Sequence, residues 1–199
     1  MDFIPEIEFK LNWIKKILYL EDHSIDIIIK KSRNSCRSHN LSRCLFASSI
    51  GSIELIANPS ALIEIRLKTN RDPIKSRKSP KNRILSQARR ELRAYLDGKL
   101  TIFNVPILLT GTNFQLAVWE RLTQIPYGEK LSYSALAGSI GHIGAARAVG
   151  LANGRNKLPI IVPCHRVICS DGKNGGYSAG TEIKDYLIEL ENRRLKLGI

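Results

Sequence analysis

The sequence predicts an α+β protein in two parts, a small sheet-plus-helix unit followed by a helical unit that contains a helix-turn-helix. Three observations carry the prediction. Residues 25–67 alternate short β-branched segments with polar turns, residues 84–98 hold one amphipathic helical repeat, and the chain beyond residue 111 runs through short helices with clear starts.

In the first part, Ile25, Ile27, Ile28 and Ile29 and the later run Ala61-Leu62-Ile63-Glu64-Ile65 read as strands, with turns near Asn34 and at Asn58-Pro59. Residues 71–81 combine prolines, serines and charges without periodicity and are expected to form an exposed loop. Ile84, Ala88, Leu92 and Leu96, with Leu85 and Tyr95 alongside, recur at helical spacing until Gly98 ends the helix. The expected organisation is one domain over residues 1–98, a linker over 99–111, where Pro106 and Gly111 interrupt extended apolar residues, and a second domain over 112–199.

The second part opens with Thr112 and Gln115 at capping-box spacing, and Phe114, Val118 and Leu122 follow on one helical face until Pro126 stops it. Tyr127-Gly128 makes a turn. Ser132 caps a short helix through Leu136, and residues 144–152 begin another that is nearly bare of bulk: Gly, Ala and Val with one cation, Arg147. Two short helices joined by a glycine-containing turn have the form of a helix-turn-helix, and small residues let such a helix approach another backbone or a duplex closely. After a turn-rich loop over residues 170–176, Thr181 is placed to cap a last helix with an apolar face of Ile183, Tyr186, Leu187 and Leu190. Glu191, four residues past Leu187, lies at the margin of that face and needs a partner, for which His165 is a candidate; Glu189 points elsewhere.

Composition narrows the function classes. With 43% hydrophobic residues among 199, the chain can bury real cores. Acidic residues precede any basic one at the start, which is not the pattern of a signal peptide, and no stretch has the apolar length to cross a bilayer. The expectation is a cytoplasmic protein with reduced thiols at its four cysteines. A net charge of +13 asks for a polyanion, with nucleic acid ahead of an anionic membrane. Basic residues crowd between Arg66 and Arg93, either as a solvated connector or as phosphate contacts. His23, Cys36, His39 and Cys44 match no standard zinc spacing, so no metal is expected.

The chemistry centres on residues 160–168, Ile-Ile-Val-Pro-Cys-His-Arg-Val-Ile, where three polar groups interrupt a run that otherwise reads as a buried strand. A buried Arg166 requires a partner. Pro163 weakens regular pairing just before Cys164, so the cysteine sits at a shaped strand end. In a continuous strand Cys164 and His165 would point to opposite faces, and their contact would need a turn or a bridging water. Cys164 is either a small buried hydrophobe or a nucleophile, and its thiol, with an ordinary pKa of about 8.5, needs activation to react near neutral pH.

Six stretches, in order, resemble the O6-methylguanine-DNA methyltransferases: Gly111-Thr112-Asn113-Phe114-Gln115 with Val118-Trp119; Ile125-Pro126-Tyr127-Gly128; Ser132-Tyr133 with Leu136-Ala137; Ala145-Ala146-Arg147-Ala148-Val149-Gly150; Pro163-Cys164-His165-Arg166-Val167; and Gly176-Tyr177. The first half is similar mainly at Ser49-Ile50-Gly51 and Tyr95-Leu96-Asp97-Gly98. The resemblance implies a ribonuclease H-like first domain and a winged helix-turn-helix-like second domain. It implies that Cys164 takes the alkyl group, once, from O6 of a guanine flipped out of double-stranded DNA, with O4-methylthymine as a further substrate. His165, Glu191 and a water would activate the thiol, Asn156 would order the turn, and Tyr133 would aid flipping and protonate the departing base. Arg147 would fill the space left by the base, with Tyr133, Ala145, Ala146, Gly150 and Asn153 also at the DNA and the helix in the minor groove. Val162, Tyr177 and Ser178 would hold the base. No cofactor and no obligatory protein partner are implied, and the protein is expected to act as a monomer. Ala179 stands where the family commonly has glycine and Thr181 where smaller or apolar residues are frequent, which bears on substrate range. The alternatives are a lesion sensor that does not dealkylate, whose relatives lack the cysteine, and a Cys-His hydrolase, which needs an oxyanion hole absent from the pattern.

Overall fold

The computed structural model describes residues 27–29, 41–68 and 81–197. The expected loop over 71–80, the strand residue Ile25, the turn near Asn34, and His23, Cys36 and His39 lie outside the described residues, as does part of the basic stretch.

The first half is a five-stranded sheet in the order β1-β5-β4-β3-β2, formed by β1 (Ile27–Ile29), β2 (Ser42–Ser48), β3 (Gly51–Ala57), β4 (Leu62–Lys68) and β5 (Ile107–Leu109). Strands β2, β3 and β4 are antiparallel neighbours, because Ser49-Ile50 and the segment 58–61 are short enough for direct reversals. At the second reversal Asn58 Oδ1 accepts from the backbone N–H of Ser60 and Ala61 at 2.8 and 2.7 Å. Strand β5 lies parallel to both β4 and β1, with α1 (Arg83–Leu96) in the crossover from β4. Asn82 caps α1 by accepting from Leu85 N, and all six residues of the expected apolar stripe are buried. The helix packs on β2, β3 and β4.

Residues 99–111 are not a free connector. Phe103, Val105, Ile107 and Leu109 are buried in the shared core and residues 107–109 are β5 itself, because the run has enough apolar side chains to be drawn into the sheet.

The second half holds α2 (Asn113–Thr123), β6 (Leu131–Ser132), α3 (Tyr133–Ser139), α4 (Ala146–Gly154), a 3₁₀ turn at Cys164–Arg166, β7 (Val167–Ile168) and α5 (Thr181–Leu197). The capping box at Thr112 and Gln115 is fully formed, and Ser132 caps α3. Helices α2, α3 and α4 pack on one another, and β6 pairs in parallel with β7. Two expectations change. The Cys run is not a strand: after Ile160, which takes φ 77°, the chain tightens into the 3₁₀ turn, and only residues 167–168 extend. Thr181 is the first helical residue of α5 rather than its cap, since Gly180 (φ 97°) accepts the first helical bond, from Lys184 N.

Candidate active site

Cys164 opens the 3₁₀ turn and is only 1% exposed. Pro163 lacks an N–H and precedes it with ψ 63°, so the chain folds back on itself instead of pairing. Cys164 N bonds to Val162 O at 2.8 Å, and the Sγ receives a hydrogen bond from Asn156 Nδ2 at 3.1 Å. The same amide nitrogen donates to Val162 O at 2.8 Å, while Asn156 Oδ1 accepts from Leu158 N. Asn156 thus ties the loop to the sulfur. Burial pushes the thiol pKa up, opposed by the Asn156 and Tyr177 side chains and by the charge of Lys184, so the resting group is a thiol.

The turn also solves the parity problem of adjacent side chains. His165 is fully buried, and its Nε2 lies 3.0 Å from Glu191 Oε1, which confirms the partner foreseen for that carboxylate. Burial depresses the His165 pKa and keeps the imidazole neutral despite Glu191. A neutral ring that donates from Nε2 has its lone pair on Nδ1, and Nδ1 is buried with no hydrogen-bond partner among the described residues. Burial opposes ionisation of Glu191, but the hydrogen bond of His165 and the charge and hydrogen bonds of Arg166 prevail and hold its pKa at about 2. Arg166 meets the carboxylate through Nε and Nη2 at 3.1 and 2.9 Å and also donates to Ile125 O.

Above this centre, α4 presents Arg147 and Ala148 to solvent, with Ala145, Ala146 and Gly150 half-buried. Ile143, 93% exposed just before the helix, and Leu151, 63% exposed within it, are apolar groups on either side of Arg147 in the chain. Gly150 faces the Tyr133 ring, where an added Cβ would lie 3.8 Å away. Asn153 does not join the outer face. It is buried and donates from Nδ2 to Cys164 O at 3.1 Å, because on a helix whose Val149 and Ala152 point inward residue 153 shares their side.

Tyr133, at the first position of α3, is half-buried beside Gly175 and Cys169, and its hydroxyl pKa is raised, chiefly by burial. The buried Tyr177 hydroxyl has no hydrogen-bond partner among the described residues, and burial, then the neighbouring Cys164, raise its pKa well above the ordinary phenol. Ser178 is exposed. Val162 is fully buried, and its carbonyl already accepts from Cys164 N and Asn156 Nδ2; both lone pairs are used, so it shapes the turn rather than offering an acceptor to a base.

Two buried polar residues at the site carry no clear signal in the sequence. Tyr95 lies alongside the apolar stripe of α1, yet its hydroxyl donates to Glu191 Oε1 at 2.6 Å. Lys184, fully buried, donates to Val167 O at 2.7 Å and Gly175 O at 3.2 Å and stands 5.9 Å from the Tyr133 ring centroid. Its signal was its position: Lys184, Leu187, Ile188 and Glu191 form one inward stripe, rotated from the face of Ile183, Tyr186, Leu187 and Leu190 that hydrophobicity alone selects. Among the described residues no group of three or more His, Cys, Asp or Glu side chains is arranged to hold a metal, and Cys44 is buried in β2. No helix among them is long and apolar enough to cross a membrane.

Comparison with known proteins places both halves. The family model described as 6-O-methylguanine DNA methyltransferase, DNA binding domain, matches residues 113–193, and the model of the ribonuclease-like domain of the same proteins matches residues 42–109. A methylated-DNA–protein-cysteine methyltransferase of Methanosarcina barkeri is 43% identical over 159 residues, 76% of this chain and 98% of that protein. Its namesake from Mycobacterium tuberculosis is 47% identical over 148 residues, 74% of this chain and 90% of that protein. The crystal structure of Mycobacterium tuberculosis OGT in complex with DNA superposes with a TM-score of 0.67 at 45% identity, covering 75% of this chain and 92% of that one.

Proposed function

Since the chain belongs to the 6-O-methylguanine DNA methyltransferase family, we propose that it repairs DNA by direct reversal, moving the alkyl group of an O6-alkylguanine irreversibly onto its own Cys164. The observation that carries this reading is the buried Cys164 thiol, bonded by Asn156 and preceding a His165–Glu191 pair in which His165 Nδ1 has no hydrogen-bond partner among the described residues.

The thiol proton passes through a water to His165 Nδ1, and the Nε2–H bond to Glu191 stabilises the resulting imidazolium. The sulfur then attacks the methyl carbon. An S–C bond forms, the C–O6 bond breaks, and its electron pair stays with the guanine, which takes a proton from the Tyr133 hydroxyl; the phenolate regains its proton from the imidazolium through water, so the net change is transfer of the thiol proton to the base. Lys184, close enough for its charge to lower the thiol pKa, supports the sulfur as it gains negative charge. A thioether is not opened by thiol exchange, so each molecule acts once, and the methyl donor is the lesion itself.

O6 of guanine is shielded in the base stack, so the base must leave it, and Arg147 on its exposed small-residue helix fills the gap from the minor groove. Ile143 and Leu151 on either side supply apolar contact with the groove walls. Tyr177 and Ser178 border the site for the extruded base, and O4-methylthymine is a smaller substrate of the same shape. The protein works as a monomer in the cytoplasm, a reading supported by its sparse free cysteines and by a site composed within one chain.

The test is to incubate the protein with duplex DNA carrying O6-methylguanine and weigh the peptide around Cys164. One added methylene at one-to-one yield, absent in Cys164→Ala, is expected; an unchanged mass with retained binding would make the protein a sensor instead.

A further inference from the structure

The carboxylate that serves the active site is held from the first half of the chain. Tyr95, fully buried near the C-terminal end of α1, donates to Glu191 Oε1 at 2.6 Å, and its oxygen is 3.3 Å from His165 Nε2. The ring is fixed edge-on to Tyr127 at 5.9 Å and tilted against Phe103 at 5.3 Å. Three residues on, Gly98 O accepts from Arg194 of α5, so the end of α1 is fastened to the helix that carries Glu191. A buried phenol aimed at a shared carboxylate oxygen contributes more than packing, since its proton competes with the imidazole for the same lone pairs.

We propose that Tyr95 is a positioning residue for alkyl transfer: by donating to Glu191 Oε1 and accepting from His165 Nε2–H, it fixes the tautomer that leaves Nδ1 free and tempers the carboxylate's pull on the imidazole. The inference rests on the function proposed above. The groups facing Glu191 are His165 and Arg166 from the 3₁₀ turn, Tyr95 from α1, Tyr127 from the turn after α2 and Arg194 from its own helix. His165 faces Glu191, Arg166, Lys184 and Tyr95. Arg166 and Lys184 disfavour the imidazolium and Glu191 favours it, so removing one hydrogen bond from Glu191 shifts the balance toward the protonated ring.

The experiment uses the full chain with ¹⁵N-labelled histidine, in which His165 is assigned with His165→Gln. Ring ¹⁵N shifts report its tautomer and protonation, and the rate of methyl transfer to Cys164 from an O6-methylguanine duplex is followed against pH. In Tyr95→Phe the acid limb of the rate and the His165 titration should both move to higher pH by about half a unit, which is about a threefold loss of rate on that limb. Replacement of Tyr95 by 3,5-difluorotyrosine, a stronger donor of nearly the same shape, should move both to lower pH and guards against a Phe variant that fails to fold. Unmoved titration and limb in both variants, with only the melting temperature changed, would reduce Tyr95 to a packing residue. Absence of methyl transfer by the wild-type protein at every pH would sink the function itself, while the ¹⁵N titration would still decide what Tyr95 does to His165.

Discussion

Glu191 accepts from Tyr95, His165, Arg166 and the backbone of Gly128, which is why a carboxylate only 2% exposed stays charged. Its depressed pKa makes folding depend on pH in a definite direction. Below its ordinary value of 4.5 the unfolded chain takes up a proton that the folded chain refuses until about pH 2. The stability that Glu191 contributes is therefore complete above pH 4.5 and is lost as pH falls toward 2, an amount on the order of 3 kcal/mol for such a shift. His165, also depressed, adds loss of the same sign beginning below 6.5. Urea titrations from pH 7 to 3 should show falling stability in the wild type and a flatter dependence below pH 4.5 in Glu191→Gln. An equal slope in the two proteins would contradict the assignment. Tyr95, Lys184 and Arg166 show what sequence conceals at this scale: whether a polar atom inside a stripe is paired depends on residues far along the chain.

At the scale of elements, local chemistry set most boundaries. Thr112, Ser132 and the apolar stripe of α1 define helices through contacts within a few residues, and these are legible in the order of the amino acids. Gly111 illustrates the tightness of one such start, since a Cβ there would lie 2.7 Å from Trp119 and 2.8 Å from Gln115 Oε1. Gly111→Ala should cost about 1–3 kcal/mol in denaturant unfolding, because an indole ring in the core cannot step aside; an unchanged midpoint would show that the ring moves freely. On α4, Arg147→Ala should slow repair of duplex more than reaction with the free base, and equal losses would remove its role in flipping. The β-branched composition of the Cys run favours extension, whereas Pro163 and the bonds of Asn156 impose the turn.

At the scale of the whole molecule, the net charge of +13 predicts that duplex affinity falls steeply with salt. The plot of log affinity against log salt should have a slope steeper than roughly −3. A salt-independent affinity would remove the electrostatic account of binding. The two halves share one core, and α1 reaches the active site through Tyr95, so the expected division at residues 99–111 describes the order of the chain better than its physics. By itself the sequence determined the α+β class, the helices capped at Thr112 and Ser132, the family, and Cys164 and His165 as candidates for chemistry, because periodicity, caps and motifs are local patterns. Tertiary structure alone decided the 3₁₀ turn, the inward Asn153, the buried Lys184, the strand at 107–109 and the reach of Tyr95, since each follows from burial and hydrogen bonds that close only when distant segments meet.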